Sequence, residues 1–149
     1  MLKLHKTARR AIAVTAAAVA FAGSTVITAG TAHADGDPCY FRTAVDVAGV
    51  TLKPGICTSG SASSVWMVGG SSQTPGNADV VFTMNRVVNG QAVPVFYVHE
   101  GSCTQPSGCS YTAWHGAVQP NNYYNVSMSW IDGSGVWHGN IQSPTRWLS

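Results

Sequence analysis

From residue 35 onward the chain shows no apolar repeat at the 3.6-residue spacing of a helix. Short runs of β-branched and aromatic residues are instead broken by Gly, Pro, Asn and Ser, which is the pattern of strands and turns. "CYFRTAVDVAGVTL" predicts one strand or two short ones, ended by Pro54-Gly55, and "SSVWMV" predicts another before the loop "GGSSQTPGNA". The clearest local signal is "ADVVFTMNRVVNGQAVPVFYVHE", where Asn89-Gly90 suits a two-residue type I′ turn because both residues tolerate positive φ. That turn pairs Val88 with Gln91, Met84 with Val95 and Phe82 with Tyr97. Pro94 has no N–H to donate and belongs at a non-bonded or edge position. "SYTAWHGAV" is a further strand, and "NYYNVSMSWI", the turn "DGSG" and "VWHGNIQS" form a last hairpin. The expectation is about seven strands and no helix, folded as a single antiparallel β-sandwich.

The first residues stand apart from this pattern. "MLKLHKTARR" is cationic, "AIAVTAAAVAFAG" is an apolar run too short to span a bilayer, and "TAHA" offers Ala32 and Ala34 to signal peptidase. Residues 1–34 therefore read as an export leader, similar to those of secreted bacterial proteins, and residues 35–149 as one secreted domain. Arg9-Arg10 raises twin-arginine export, although "ARRAIA" lacks the rest of that signal. Of the eight basic residues, Lys3, Lys6, Arg9 and Arg10 lie in the leader, so four remain against six acids, a formal net charge of −2. No basic patch is left to follow a phosphate backbone, which argues against nucleic acid as a partner. No membrane anchor is expected beyond the leader. The polar surface has to come from Ser, Thr, Asn and Gln, a composition suited to neutral ligands.

Cys39, Cys57, Cys103 and Cys109 all follow the leader. An even count in an exported chain reads as two disulfides, for which three connectivities exist. The pairs Cys39–Cys57 and Cys103–Cys109 each close a local loop, and Pro106, Ser107 and Gly108 supply a turn within "CTQPSGC". A thiolate zinc site is disfavoured because a C-x5-C spacing is not a zinc knuckle.

"WHG" occurs twice, at Trp114-His115-Gly116 and Trp137-His138-Gly139. With "DGSG" as a four-residue loop, Ile131 opposes Val136 and Trp130 opposes Trp137. Tyr124, Val126, Met128 and Trp130 then share the core face with Trp137 and Ile141, and His138 points outward beside Ser129. "VQPNNYYNVSM" resembles the tyrosine corner of fibronectin type III and immunoglobulin-like sandwiches, with Val118, Pro120, Tyr124 and Val126 on the motif positions. The resemblance implies that the Tyr124 hydroxyl bonds back to the corner backbone, that Trp114 is a core residue and that His115 faces out. It covers about nine residues and speaks to topology, not function. Trp66 is only a loose counterpart of the family's Trp before the third strand.

Little in the chain reads as catalytic. There is no G-x-S-x-G, no convergent carboxylate pair, and no H-x-H or H-x3-H spacing for a metal. His99-Glu100 lacks the second His of a zincin, and the sequon at Asn125 carries no consequence on a packed strand. If cleavage fell after Ala32, His33 would open the mature chain, as in copper-dependent polysaccharide monooxygenases, although the chain is short for that family. Neither a cofactor nor a metal is expected. The leading expectation is an extracellular, non-enzymatic module that binds a protein or a neutral carbohydrate, with Tyr40, Tyr111, Tyr123, Trp147 and the loop between Cys103 and Cys109 as contact candidates. The alternative is an inhibitor of a secreted hydrolase, with "CTQPSGC" as a constrained loop for an active-site cleft.

Overall fold

A computed structural model describes residues 37–149. The leader, the twin-arginine pair and His33 lie outside the described residues. The strand segments, in chain order, are β1 (Cys39–Phe41), β2 (Val45–Val47), β3 (Val50–Cys57), β4 (Val65–Ser71), β5 (Asp79–Val88), β6 (Gln91–His99), β7 (Cys109–Gly116), β8 (Asn122–Ile131), β9 (Trp137–Gln142) and β10 (Arg146–Leu148). One sheet has the order β1-β3-β4-β7 and the other β10-β8-β5-β6, with every pair antiparallel. β2 also pairs with β3, and β9 also pairs with β8, so β1/β2 and β9/β10 are interrupted edge strands. The expected sandwich is present, with more strand segments than the seven expected because both edges are broken.

Alternating residues of the two inner faces make the core. Leu52, Ile56, Val65 and Met67 from the first sheet meet Phe82, Met84, Val126 and Met128 from the second, all fully buried. Two hydrogen bonds fasten this packing. The Tyr124 hydroxyl donates to the Gln119 carbonyl at 3.0 Å, closing the corner that leads from β7 into β8. The Trp130 indole N–H donates to the Val47 carbonyl at 2.9 Å and so ties the second sheet to the first. Pro120 stands exposed on the outside of the corner. Both expected disulfides are present, Cys39–Cys57 across the β1–β3 pair and Cys103–Cys109 tying the preceding loop to the first residue of β7.

Three local slips separate the structure from simple strand alternation, and each reverses the face of an aromatic residue. In the β5–β6 hairpin, Val88 opposes Gln91 as expected, and Asn89 and Gly90 both have positive φ. The register then shifts between Met84 and Asn85, so Met84 opposes Phe96 and Phe82 opposes Val98. Val95 is the extra residue, directly after Pro94 (a natural place for a bulge because Pro cannot bond across). Tyr97 leaves the core side in consequence. In β7, Met67 opposes Trp114 but Val68 opposes Thr112, so Ala113 is extra and Tyr111 turns inward.

The third slip lies in the last hairpin. Asp132 N donates to the Val136 carbonyl, and Gly135 N, at φ 85°, donates to the Asp132 carbonyl. This is a three-residue loop ending in a left-handed Gly, not a four-residue one. Trp137 therefore opposes Ile131 instead of Trp130, and it is 50 % exposed where the simpler register expected it in the core. His138 opposes Trp130 and stacks on it, where it was expected to point out beside Ser129. A further shift at Gly139 restores Ile141 to its expected place against the core, opposite Met128.

Candidate functional site

The outer face of the β10-β8-β5-β6 sheet carries an unusual row of residues. On β5 and β8 the cross-strand pairs Val81–Ser129, Thr83–Ser127, Asn85–Asn125 and Val87–Tyr123 point away from the core. Thr83, Asn85, Asn125, Ser127 and Ser129 are nevertheless buried. Aromatic side chains from the neighbouring strands flank Thr83, Asn85, Ser127 and Ser129, and Gln142 and Thr145 hold the Asn125 amide. β6 and β9 lie three strand spacings apart, roughly 14 Å, yet the rings of Tyr97 and Trp137 approach to 6.1 Å edge to face. They lean toward each other over the short side chains of Thr83, Ser127 and Ser129. The result is a trough of about 240 Å³, bordered by Tyr97, Trp137, Pro94 and Asn140 and floored by Thr83, Asn85 and Ser127. No Asp, Glu, Lys or Arg lines it.

Hydrogen bonds hold the floor in a fixed arrangement. The Asn85 amide donates to Asn125 Oδ1 and to Ser127 Oγ, both at 3.0 Å. Asn125 Nδ2 in turn donates to Gln142 Oε1 at 3.0 Å, and Ser129 Oγ donates to the Gly139 carbonyl at 3.1 Å. The network runs from β5 across β8 to β9. Among the described residues, the Asn85 amide oxygen and the Thr83 hydroxyl make no hydrogen bond. They are an acceptor and a donor–acceptor held on a rigid scaffold.

A second aromatic pair marks the other end of the face. Tyr123 and Trp147 are directly opposed on β8 and β10, their rings meet edge to face at 4.9 Å, and both are about half exposed. Tyr123 lies four residues from Ser127 along β8, roughly 14 Å at strand rise. The face thus reads aromatic pair, amide ladder, aromatic pair.

Of the contact candidates read from the sequence, the structure brings Tyr123 and Trp147 together here. Tyr40 is elsewhere, with the Arg146 guanidinium 3.7 Å from its ring centre. Tyr111 is turned inward by the β7 bulge, edge-on to Phe82, with its hydroxyl 3.0 Å from Ser71 Oγ. Burial pushes its phenol pKa up, against the lowering effect of the Ser71 hydrogen bond, with Glu100 and Asp79 adding to the rise. Of the exposed aromatic residues of the trough, Trp137 is expected on the core face by parity and Tyr97 is expected only as the cross-strand partner of Phe82. Trp114 packs against the core and against Phe96, with ring centres 4.9 Å apart, as expected. Residues 104–107 between Cys103 and Cys109 are exposed while Cys103 is buried.

The remaining polar clusters are small. His99 Nδ1 bonds Asp79 Oδ2 at an exposed site, and burial with the nearby Asp79 charge raises the Glu100 carboxyl pKa. Among the described residues no three His, Cys, Asp or Glu side chains converge as metal ligands, and no helix is long and apolar enough to cross a membrane. Set against protein-family models, curated proteins and solved structures, the chain finds no match.

Proposed function

We propose that this chain is a secreted, non-catalytic binding module, and that the outer face of the β10-β8-β5-β6 sheet takes a neutral oligosaccharide or polysaccharide strand. The observation that carries the reading is the uncharged amide and hydroxyl floor between two exposed aromatic pairs. A sugar ring has an apolar C–H face and an equatorial rim of hydroxyls. Tyr97 and Trp137 can cover the face, while Asn85 Oδ1 and the Thr83 hydroxyl meet the rim. A site without charge suits a ligand without charge, because an ionised group there would be desolvated and unpaired. The span to Tyr123 and Trp147 suits several sugar units bound in a row. Two disulfides and the leader-like residues 1–34 support the secreted part of the reading.

We also read the sandwich as fibronectin type III/immunoglobulin-like. The corner tyrosine starts a strand that follows a crossover between sheets, and that strand lies between a hairpin partner and the first strand of the β5–β6 hairpin. These are the places of strands F, G and C in such folds. β1/β2 is then an added edge strand.

The test is retention on insoluble cellulose, chitin and xylan, together with affinity electrophoresis in soluble glucans. Trp137→Ala and Tyr97→Ala should each weaken binding at least tenfold, about 1.4 kcal/mol, while Lys53→Ala leaves it unchanged. Retention on none of these polymers, or retention indifferent to Trp137→Ala and Tyr123→Ala together, would remove the proposal. A parallel panel of secreted proteases and amylases reads the inhibitor alternative, which depends on the exposed loop at 104–107.

A further inference from the structure

A second concavity lies at the opposite side of the sheet, and it is independent of the sugar reading. Val80, Phe82, Met84 and Arg86 alternate along β5 on the core-facing side. The first three are buried in the core, and the fourth is a cation. Arg86 opposes Val93 on β6 and Tyr124 on β8, at the end of the sandwich where β7 has already given way to the corner. The sheets are open there. A groove of about 720 Å³ runs between the β6 edge and the corner, and it is walled by Val93, Val95, Phe96, Val118 and Pro120, with Arg86 as its one charged lining residue. Among the described residues the Arg86 side chain makes no ion pair, hydrogen bond or ring contact.

Water reaches the unpaired guanidinium through the open groove and supplies the hydrogen bonds that the protein does not. An anionic group seated there would face five donors in a fixed fork and a medium less polar than water, where a bidentate carboxylate pair is strongest. The rest of the lining is mainly hydrocarbon, with Gln119 and Tyr124 as its other polar residues. The groove also has the size of a site for a small molecule. We infer that the groove binds a small amphiphile with an aliphatic body and a single carboxylate, the carboxylate on Arg86 and the body along Val93, Phe96 and Pro120. The exposed Val95 flanks the entrance.

The probe is decanoate, titrated into the purified protein and followed by calorimetry and by the change in tryptophan emission that Trp114→Phe removes, since Trp114 packs on Phe96 at the groove wall. Decanoate is expected to bind, and methyl decanoate and decylammonium to bind at least tenfold more weakly. Arg86→Gln should weaken decanoate at least tenfold, and Arg86→Lys, which keeps the charge and loses the fork, should fall between. The inference is overturned if decanoate does not bind, if the ester binds as tightly, or if wild type and both Arg86 variants bind alike. The ester comparison uses the wild-type protein alone and decides the matter even if a variant fails to fold. Sedimentation equilibrium supplies the last arm. A dimer that Val95→Asp dissociates would assign the groove to a second copy of the chain and also overturn the inference.

Discussion

The two WHG segments show how one residue's setting decides what its neighbours do. Each histidine stacks face to face on the tryptophan of the adjoining strand, His115 on Trp66 at 3.7 Å and His138 on Trp130 at 4.2 Å. The tryptophans within the motif have opposite settings, Trp114 packing against the core and Trp137 standing half exposed. The glycines differ as well. A Cβ at Gly116 would meet the Trp114 ring, whereas Gly139 has φ 78° and sits in a bulge. A shared tripeptide therefore serves two unlike purposes. Trp130 and Trp137 offer the sharpest contrast. Trp130→Ala removes a buried indole and its bond to Val47, and should cost about 3–5 kcal/mol in denaturant unfolding. Trp137→Ala should change stability by no more than about 0.5 kcal/mol. Equal losses from both would contradict the outward setting of Trp137.

At the scale of elements, the β8–β9 hairpin shows what holds an exposed aromatic residue in place. Asp132 accepts from the Ser134 hydroxyl and amide, from the Val136 amide at 3.0 Å and from His138 Nε2 at 2.9 Å. The Ser134 hydroxyl and then His138 contribute most to holding its carboxyl pKa well below the usual carboxylate range. A carboxyl whose pKa is lower folded than unfolded stabilises the fold above its unfolded value, and that contribution fades as pH falls through the folded value. Asp132→Asn should therefore melt at a lower temperature than the parent at neutral pH, with the gap closing only in strongly acidic solution. Thermal unfolding as a function of pH measures this, and a gap that does not vary with pH would show that the charge is not what matters. Because this turn carries Trp137, the same variant should also weaken glycan retention.

For the molecule as a whole, two thin sheets enclose one core, and covalent ties at opposite ends supplement a modest burial. Cys39–Cys57 spans 18 residues and Cys103–Cys109 spans 6. Loop-closure entropy rises with the length closed, so replacing the first pair by serine should destabilise by about 1 kcal/mol more than replacing the second. Chemical denaturation of the two double variants gives the comparison, and a reversed order would place the larger effect in native-state packing. The sequence by itself determined the class of fold, both disulfides, the Asn89-Gly90 turn and the corner at Tyr124. All of these rest on composition, local turn chemistry or a short motif read within a few residues. It also picked out Tyr123 and Trp147 as aromatic residues outside the core. Only the tertiary structure decided the faces of Tyr97, Tyr111 and Trp137, because a single bulged residue inverts every side chain beyond it and leaves no mark in the hydrophobic pattern. The polar trough was hidden for the same reason. Its floor comes from two strands and its rim from two more, and Thr83, Asn85 and Ser127 read as ordinary solvent-facing positions until the rings of Tyr97 and Trp137 are placed above them.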